Sequence, residues 1–152
     1  MKYSKEDLKS AAQILFAKEE KTNFPNDGDN KKISIANSKY KEFDFGFAKR
    51  IESKYPSIWD KGGNGGSGED KTSFTGNDAW RLYKAYKSGS RSTEVLNWVK
   101  RRESFMDRHA GNGKSIASVI SWIKWGAVGS IGVPAMKKML REAMQKEDQK
   151  KA

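Results

Sequence analysis

Apolar residues in this chain recur mostly at the three- and four-residue spacing of helices, and only briefly at the two-residue spacing of strands. Ser4 is placed to cap a first helix over residues 5–20, with Leu8, Ala11, Ala12, Leu15 and Phe16 on one face. Residues 21–36, rich in Asn, Asp and Lys around Pro25 and Gly28, predict a loop. Asn37 or Ser38 opens the next predicted helix, in which Tyr40, Phe43, Phe47, Ile51 and Tyr55 keep the helical period until Pro56. A strand competes over Phe43-Asp44-Phe45-Gly46-Phe47, which alternates with period two. The longer window favours the helix and leaves Phe45 off its apolar face. Five glycines within residues 62–68 then predict a flexible, exposed loop and a candidate hinge.

Helical periodicity dominates the second half. Thr75 or Asn77 caps a helix over residues 77–88 that carries Trp80, Tyr83 and Tyr86. Ser92 or Thr93 opens another, whose stripe is Val95, Trp98, Val99, Arg102, Phe105, Met106 and His109 and whose stop is Gly111-Asn112-Gly113. From Ser115 the chain is hydrophobic nearly all round, which marks the segment of residues 115–130 as the centre of a core. Pro134 suits the first turn of a last helix, with Met136, Met139, Leu140 and Met144 as its stripe and a charged C-terminal tail at 145–152. The pattern therefore predicts a mostly α fold: a compact single-domain bundle of five or six helices around one buried apolar helix. A length of 152 residues fits one domain.

Composition narrows the chemistry. There is no cysteine, hence no disulfide framework, thiolate metal site or cysteine nucleophile, and a single His109 forbids a multi-histidine metal site. Asp27 and Asp29 flank Gly28 without the remaining ligands of a calcium loop, and the other carboxylates are scattered. No metal, cofactor or catalytic residue is predicted, and the expected role is non-enzymatic. Lys124 stands in the middle of the longest apolar stretch, which favours a buried helix over a membrane span. The charged start Met1 to Asp7 lacks the apolar run of a secretory signal.

Charge then suggests a partner. The net charge is +11, and it is uneven: residues 1–75 hold 14 basic and 12 acidic side chains, residues 76–152 hold 16 and 7. Such asymmetry favours a polyanion, nucleic acid first. The cations on predicted polar faces are Arg81, Lys84 and Lys87, then Lys100, Arg101 and Arg108, then Lys114, and finally Lys137, Lys138 and Arg141. These ten are the candidate phosphate contacts. The run Trp80 to Lys87 interleaves aromatics with cations, but helical spacing turns Tyr83 and Tyr86 inward and leaves the cations outside. Phosphate contact without base recognition is the expectation.

Three other features have plainer readings. Gly113-Lys114-Ser115 shares the ending of a phosphate-binding loop, yet Arg108 stands where the first glycine belongs, so an ordinary helix start is predicted. Gly126, Gly129 and Gly132 lack the spacing of a dinucleotide loop and read as close packing or a sharp turn before Pro134. Arg102 and His109 fall on the apolar stripe, and either form a basic pocket with Glu103 or Asp107 or are core-facing groups satisfied locally.

Trp98-Val99-Lys100-Arg101-Arg102-Glu103-Ser104-Phe105, Arg108-His109, Trp122-Ile123-Lys124-Trp125-Gly126, Met136-Lys137-Lys138 and Arg141-Glu142, preceded by Tyr55-Pro56-Ser57-Ile58-Trp59, together resemble small proteins of tailed bacteriophages over residues 50–145. The resemblance implies a phage origin, and with it the host cytoplasm or the virion. It carries no established activity and no site residue. Two roles follow: an accessory protein binding DNA or RNA through backbone phosphates without strong sequence preference, or an assembly component whose basic face meets acidic protein, with Met136, Met139, Met144 and exposed aromatics as a contact between copies.

Overall fold

The computed structural model describes residues 34–64, 74–111 and 114–151; the helix predicted at 5–20, most of the 21–36 loop and residues 65–68 of the glycine-rich segment lie outside them. Among the described residues the secondary structure is helical, without a strand. After a 3-10 turn at Ile35–Asn37 come α1 (Phe45–Lys54), α2 (Pro56–Trp59), α3 (Gly76–Lys87), α4 (Thr93–His109), α5 (Ile116–Lys124) and α6 (Val133–Lys151). None of these helices is long and apolar enough to cross a membrane.

Side-chain caps set three of the starts where local chemistry predicts them. Thr75 accepts from the amide of Asp78 while the Asp78 carboxylate accepts from the amide of Thr75, a reciprocal capping box. Ser92 caps α4 through the Val95 amide, and Ser115 caps α5 through the Ser118 amide at 3.1 Å. Helix α1 departs from expectation: it begins at Phe45, not at Asn37 or Ser38, because Asp44 is its cap and accepts from the Phe47 amide at 3.0 Å. The chain before it is drawn into tertiary contacts instead. Ser38 Oγ donates to the Glu103 carboxylate, the Tyr40 carbonyl accepts from Arg102, and the Lys41 carbonyl accepts from the Val128 amide. The strand alternative over residues 43–47 is absent too, and Phe45 packs its ring against Trp80 and Tyr83.

Helix α5 is the centre of the core, as its composition requires. Val119, Ile120, Trp122 and Ile123 are buried, and the helix packs against α2, α3 and α6. Burying each such side chain contributes about 1.5–3 kcal/mol relative to leaving it in water. A single contiguous cluster runs from Ile35 to Met144 and includes every tryptophan of the chain. Met136, Leu140 and Met144 of α6 belong to it, with Met139 packed against it. That placement takes Met136 and Met144 from the surface and leaves only Met139 partly exposed, so the stripe as a whole is not a self-association contact. The charged stretch at 145–151 is a continuation of α6 and not a separate tail; the Tyr55 hydroxyl donates to Asp148 there at 3.1 Å.

Two glycine positions fix the turns that hold α5. Gly126 takes φ +83 directly after the α5 cap, with the Tyr83 ring 3.1 Å from where a Cβ would stand. Gly62 lies so close to α5 that a Cβ would overlap the Ala117 carbonyl. The described start of the glycine-rich segment, residues 62–64, is thus clamped against α5 rather than forming an exposed hinge. The small residue is needed there for approach.

Candidate nucleic-acid interface

The ten predicted cations divide into two groups when their neighbours are followed. On α3, Lys84 reaches Glu52 at 3.4 Å and Lys87 reaches Glu42 at 2.6 Å. On α6, Lys137 reaches Asp44 at 3.1 Å. All three carboxylates come from the acid-balanced first half of the chain. Arg81 approaches Glu94 at 3.8 Å and Lys138 approaches Glu142 at 4.0 Å, both pairs being well exposed. Exposed pairs of this kind contribute roughly 0–1 kcal/mol each. Their effect on a partner is larger than that, since each carboxylate cancels the local field a phosphate would meet.

The second group lies on α4 and in the turn to α5. Lys100, Arg101 and Arg108 are exposed on α4, Lys114 is exposed immediately before the α5 cap, and none has an ion pair among the described residues. Helical geometry places Arg101 and Arg108, seven residues apart, on almost the same line of α4, with Lys100 about a quarter turn round the same polar side. Arg141 of α6 also lacks an ion pair among the described residues, but it lies over the Phe47 ring next to the Lys137–Asp44 pair. The structure therefore leaves Lys100, Arg101 and Arg108 of α4, and Lys114 before α5, exposed and without ion pairs among the described residues, and places most of the α3 and α6 cations beside carboxylates.

Arg102 and His109 have different surroundings. The Arg102 guanidinium is buried and donates to the Tyr40 carbonyl at 2.7 Å, the Gly126 carbonyl at 2.9 Å and Ser38 Oγ at 3.0 Å. It ties α4 to the segment before α1 and to the turn after α5, a structural use of a planar donor fork. Burial lowers its pKa from the ordinary arginine value, opposed chiefly by Glu103. His109 is partly buried, with its ring 4.6 Å from that of Phe105 and its carbonyl accepting from Trp122 Nε1 at 2.9 Å. Desolvation, helped by Arg108, holds its imidazole below the usual histidine range, so it is neutral at pH 7.

Two features are not evident from the sequence pattern. Lys124 is fully buried and donates to the Gly62 carbonyl at 2.8 Å and to Asn77 Oδ1 at 2.6 Å, with the Trp59 ring 5.1 Å away. Its ammonium thereby rivets the start of the glycine-rich segment to α5 and to the first turn of α3. Beside the free cations, Phe74 and Trp125 join Phe105 in a row of rings. The four-residue spacing of Arg101, Phe105 and His109 hints at that row, but Phe74 and Trp125 come from distant segments.

The Trp80, Tyr83 and Tyr86 rings are buried, which leaves only the cations of the 80–87 run at the surface. Ser115 acts as a helix cap, the plain reading of Gly113-Lys114-Ser115. No family model matches this sequence, and neither does any curated protein or solved structure.

Proposed function

We propose that this chain is a non-enzymatic accessory protein of a tailed bacteriophage that binds nucleic acid through backbone phosphates with little sequence preference. One observation supports the binding surface above all: Lys100, Arg101, Arg108 and Lys114 are exposed and lack ion pairs among the described residues, while Lys84, Lys87 and Lys137 are matched by Glu52, Glu42 and Asp44. Exposed cations without carboxylate partners are what a phosphate backbone requires, and arginines two turns apart on one line of a helix can follow it. The phage setting comes from the sequence resemblance alone.

The test is the salt dependence of binding to a short oligonucleotide. Four phosphate contacts correspond to a log–log slope of roughly −3, so affinity falls by about 60-fold between 50 and 200 mM salt. Affinity that does not change over that range overturns the reading. Tagged protein recovered from infected cells should release its partner on nuclease treatment; an acidic protein that stays bound after nuclease supports the assembly role instead. Mass spectrometry of purified virions tests whether the protein belongs to the particle.

A further inference from the structure

Arg101, which has no ion pair among the described residues, borders a row of flat groups. Arg101 lies over the Phe74 ring at 4.7 Å, Phe74 meets Trp125 at 5.4 Å, Trp125 is stacked on Phe105 at 4.4 Å with planes 9° apart, and Phe105 meets His109 at 4.6 Å. Trp125 is buried, whereas Phe74, Phe105 and His109 are only partly covered and Arg101 is exposed. The second half of α4 thus carries adjacent rows, Arg101–Phe105–His109 at four-residue spacing and Arg108 beside them. Phosphate neutralisation needs only the cations. One face of Phe105 lies on Trp125 and one face of Phe74 lies under Arg101; what these partly exposed rings leave accessible is flat apolar surface against which an unpaired base can pack.

We infer that the preferred ligand of this surface is an unpaired nucleic-acid strand, its phosphates on Lys100, Arg108 and Lys114 and its bases against the Arg101–Phe74–Phe105 row. This rests on the phosphate-binding reading above and specifies its substrate. A duplex presents phosphates at higher density but keeps its base faces stacked on one another, so a surface acting through charge alone favours duplex. Base stacking reverses that order, because every base has a π face and the gain is insensitive to sequence. Charge complementarity selects nucleic acid over an apolar peptide as the occupant of the row.

Fluorescence anisotropy of the full chain decides it with three labelled probes of equal length at equal ionic strength: oligo-dT, a strand of abasic sites, and a duplex. The expected order is oligo-dT tightest, with the abasic strand weaker by about tenfold or more although its charge is the same. Equal affinity for oligo-dT and the abasic strand overturns the inference and leaves the phosphate reading standing; no salt-sensitive binding to any probe overturns both. The site is assigned with Phe105→Leu, which should lose most of the difference between oligo-dT and the abasic strand, and with Phe105→Trp, which should restore it. Were Phe105→Leu to unfold, the three probes on the unaltered protein still give the answer. A Phe105→Leu protein that is folded and keeps the full difference overturns the assignment to this row.

Discussion

The Nζ of Lys124 donates to the carbonyl of Gly62, 2.8 Å away and sixty-two positions earlier in the chain, inside a fully buried site. No carboxylate lies within ion-pair distance of this ammonium among the described residues; it is satisfied by Gly62, Asn77 and the face of Trp59. Lys124→Ala removes a buried stem and orphans two acceptors, and should cost about 3 kcal/mol or more. Lys124→Met keeps the stem volume and should cost less than the alanine variant. Urea unfolding followed by tryptophan fluorescence orders the three proteins.

The same residue gives a pH dependence of known sign. Burial holds the Lys124 ammonium below the ordinary lysine value of 10.5, against the pull of Asp60 and Glu52. Between the lowered value and 10.5 the unfolded chain carries a proton that the folded chain has released, so this group makes stability rise with pH across that window. The Tyr83 hydroxyl, buried and donating to Glu42, has its pKa raised and works the other way above pH 10. Subtracting the stability of Lys124→Met from that of the parent at each pH isolates the lysine, and the difference should grow towards alkaline pH below about 10.

Arg102 is a structural guanidinium and not a ligand-binding one. Arg102→Ala should destabilise the fold by about 3–5 kcal/mol, since it leaves a cavity, a buried Gly126 carbonyl and a part-buried Tyr40 carbonyl without this donor. Arg102→Lys keeps the charge but not the fork that spans Tyr40 and Gly126, and should remain clearly less stable than the parent. At a temperature where Arg102→Lys is folded, its affinity for an oligonucleotide should be unchanged, which titration by anisotropy checks.

Two triple substitutions separate the cation groups. Lys100→Gln with Arg108→Gln and Lys114→Gln should weaken oligonucleotide binding and flatten the salt slope by about one for each phosphate no longer neutralised. Lys84→Gln with Lys87→Gln and Lys137→Gln removes the same formal charge from cations that carboxylates already match, and should change affinity by less than about threefold while lowering stability slightly. Equal weakening by the two sets would show that charge acts over the whole body and not at α4.

Glycine substitutions test the clamp at the start of the glycine-rich segment. Gly62→Ala forces a methyl into the Ala117 carbonyl and should cost about 2–3 kcal/mol. Gly89→Ala meets no atom within 4 Å and suffers only from φ +104, so about 1 kcal/mol is expected. Thermal melting by circular dichroism ranks the two.

Local chemistry was legible wherever it acts locally. Thr75, Ser92 and Ser115 sit one residue before an amphipathic run and do cap α3, α4 and α5, and the nearly all-apolar segment after Ser115 is the buried one. The start of α1 was not legible, because Ser38 has the composition of a cap while its hydroxyl is engaged by Arg102 and Glu103 on α4. The candidate site divides in the same manner. Helical spacing puts nine of the ten cations on helix surfaces and Lys114 just before a cap, but which of them carboxylates match depends on Glu42, Asp44 and Glu52, whose partners lie 32 to 93 positions away. The row of Phe74, Trp125 and Phe105 likewise joins three separate segments and has no sequence spacing of its own.

Glu42, Asp44 and Glu52 also give the body an orientation. A strand laid along α4 would meet cations with no carboxylate partner among the described residues, whereas Lys84, Lys87 and Lys137 around α1 already have theirs built in. Molecules lined up on one strand would then meet one another across pairs that are already matched, and would repel less there than a net charge of +11 spread evenly would impose.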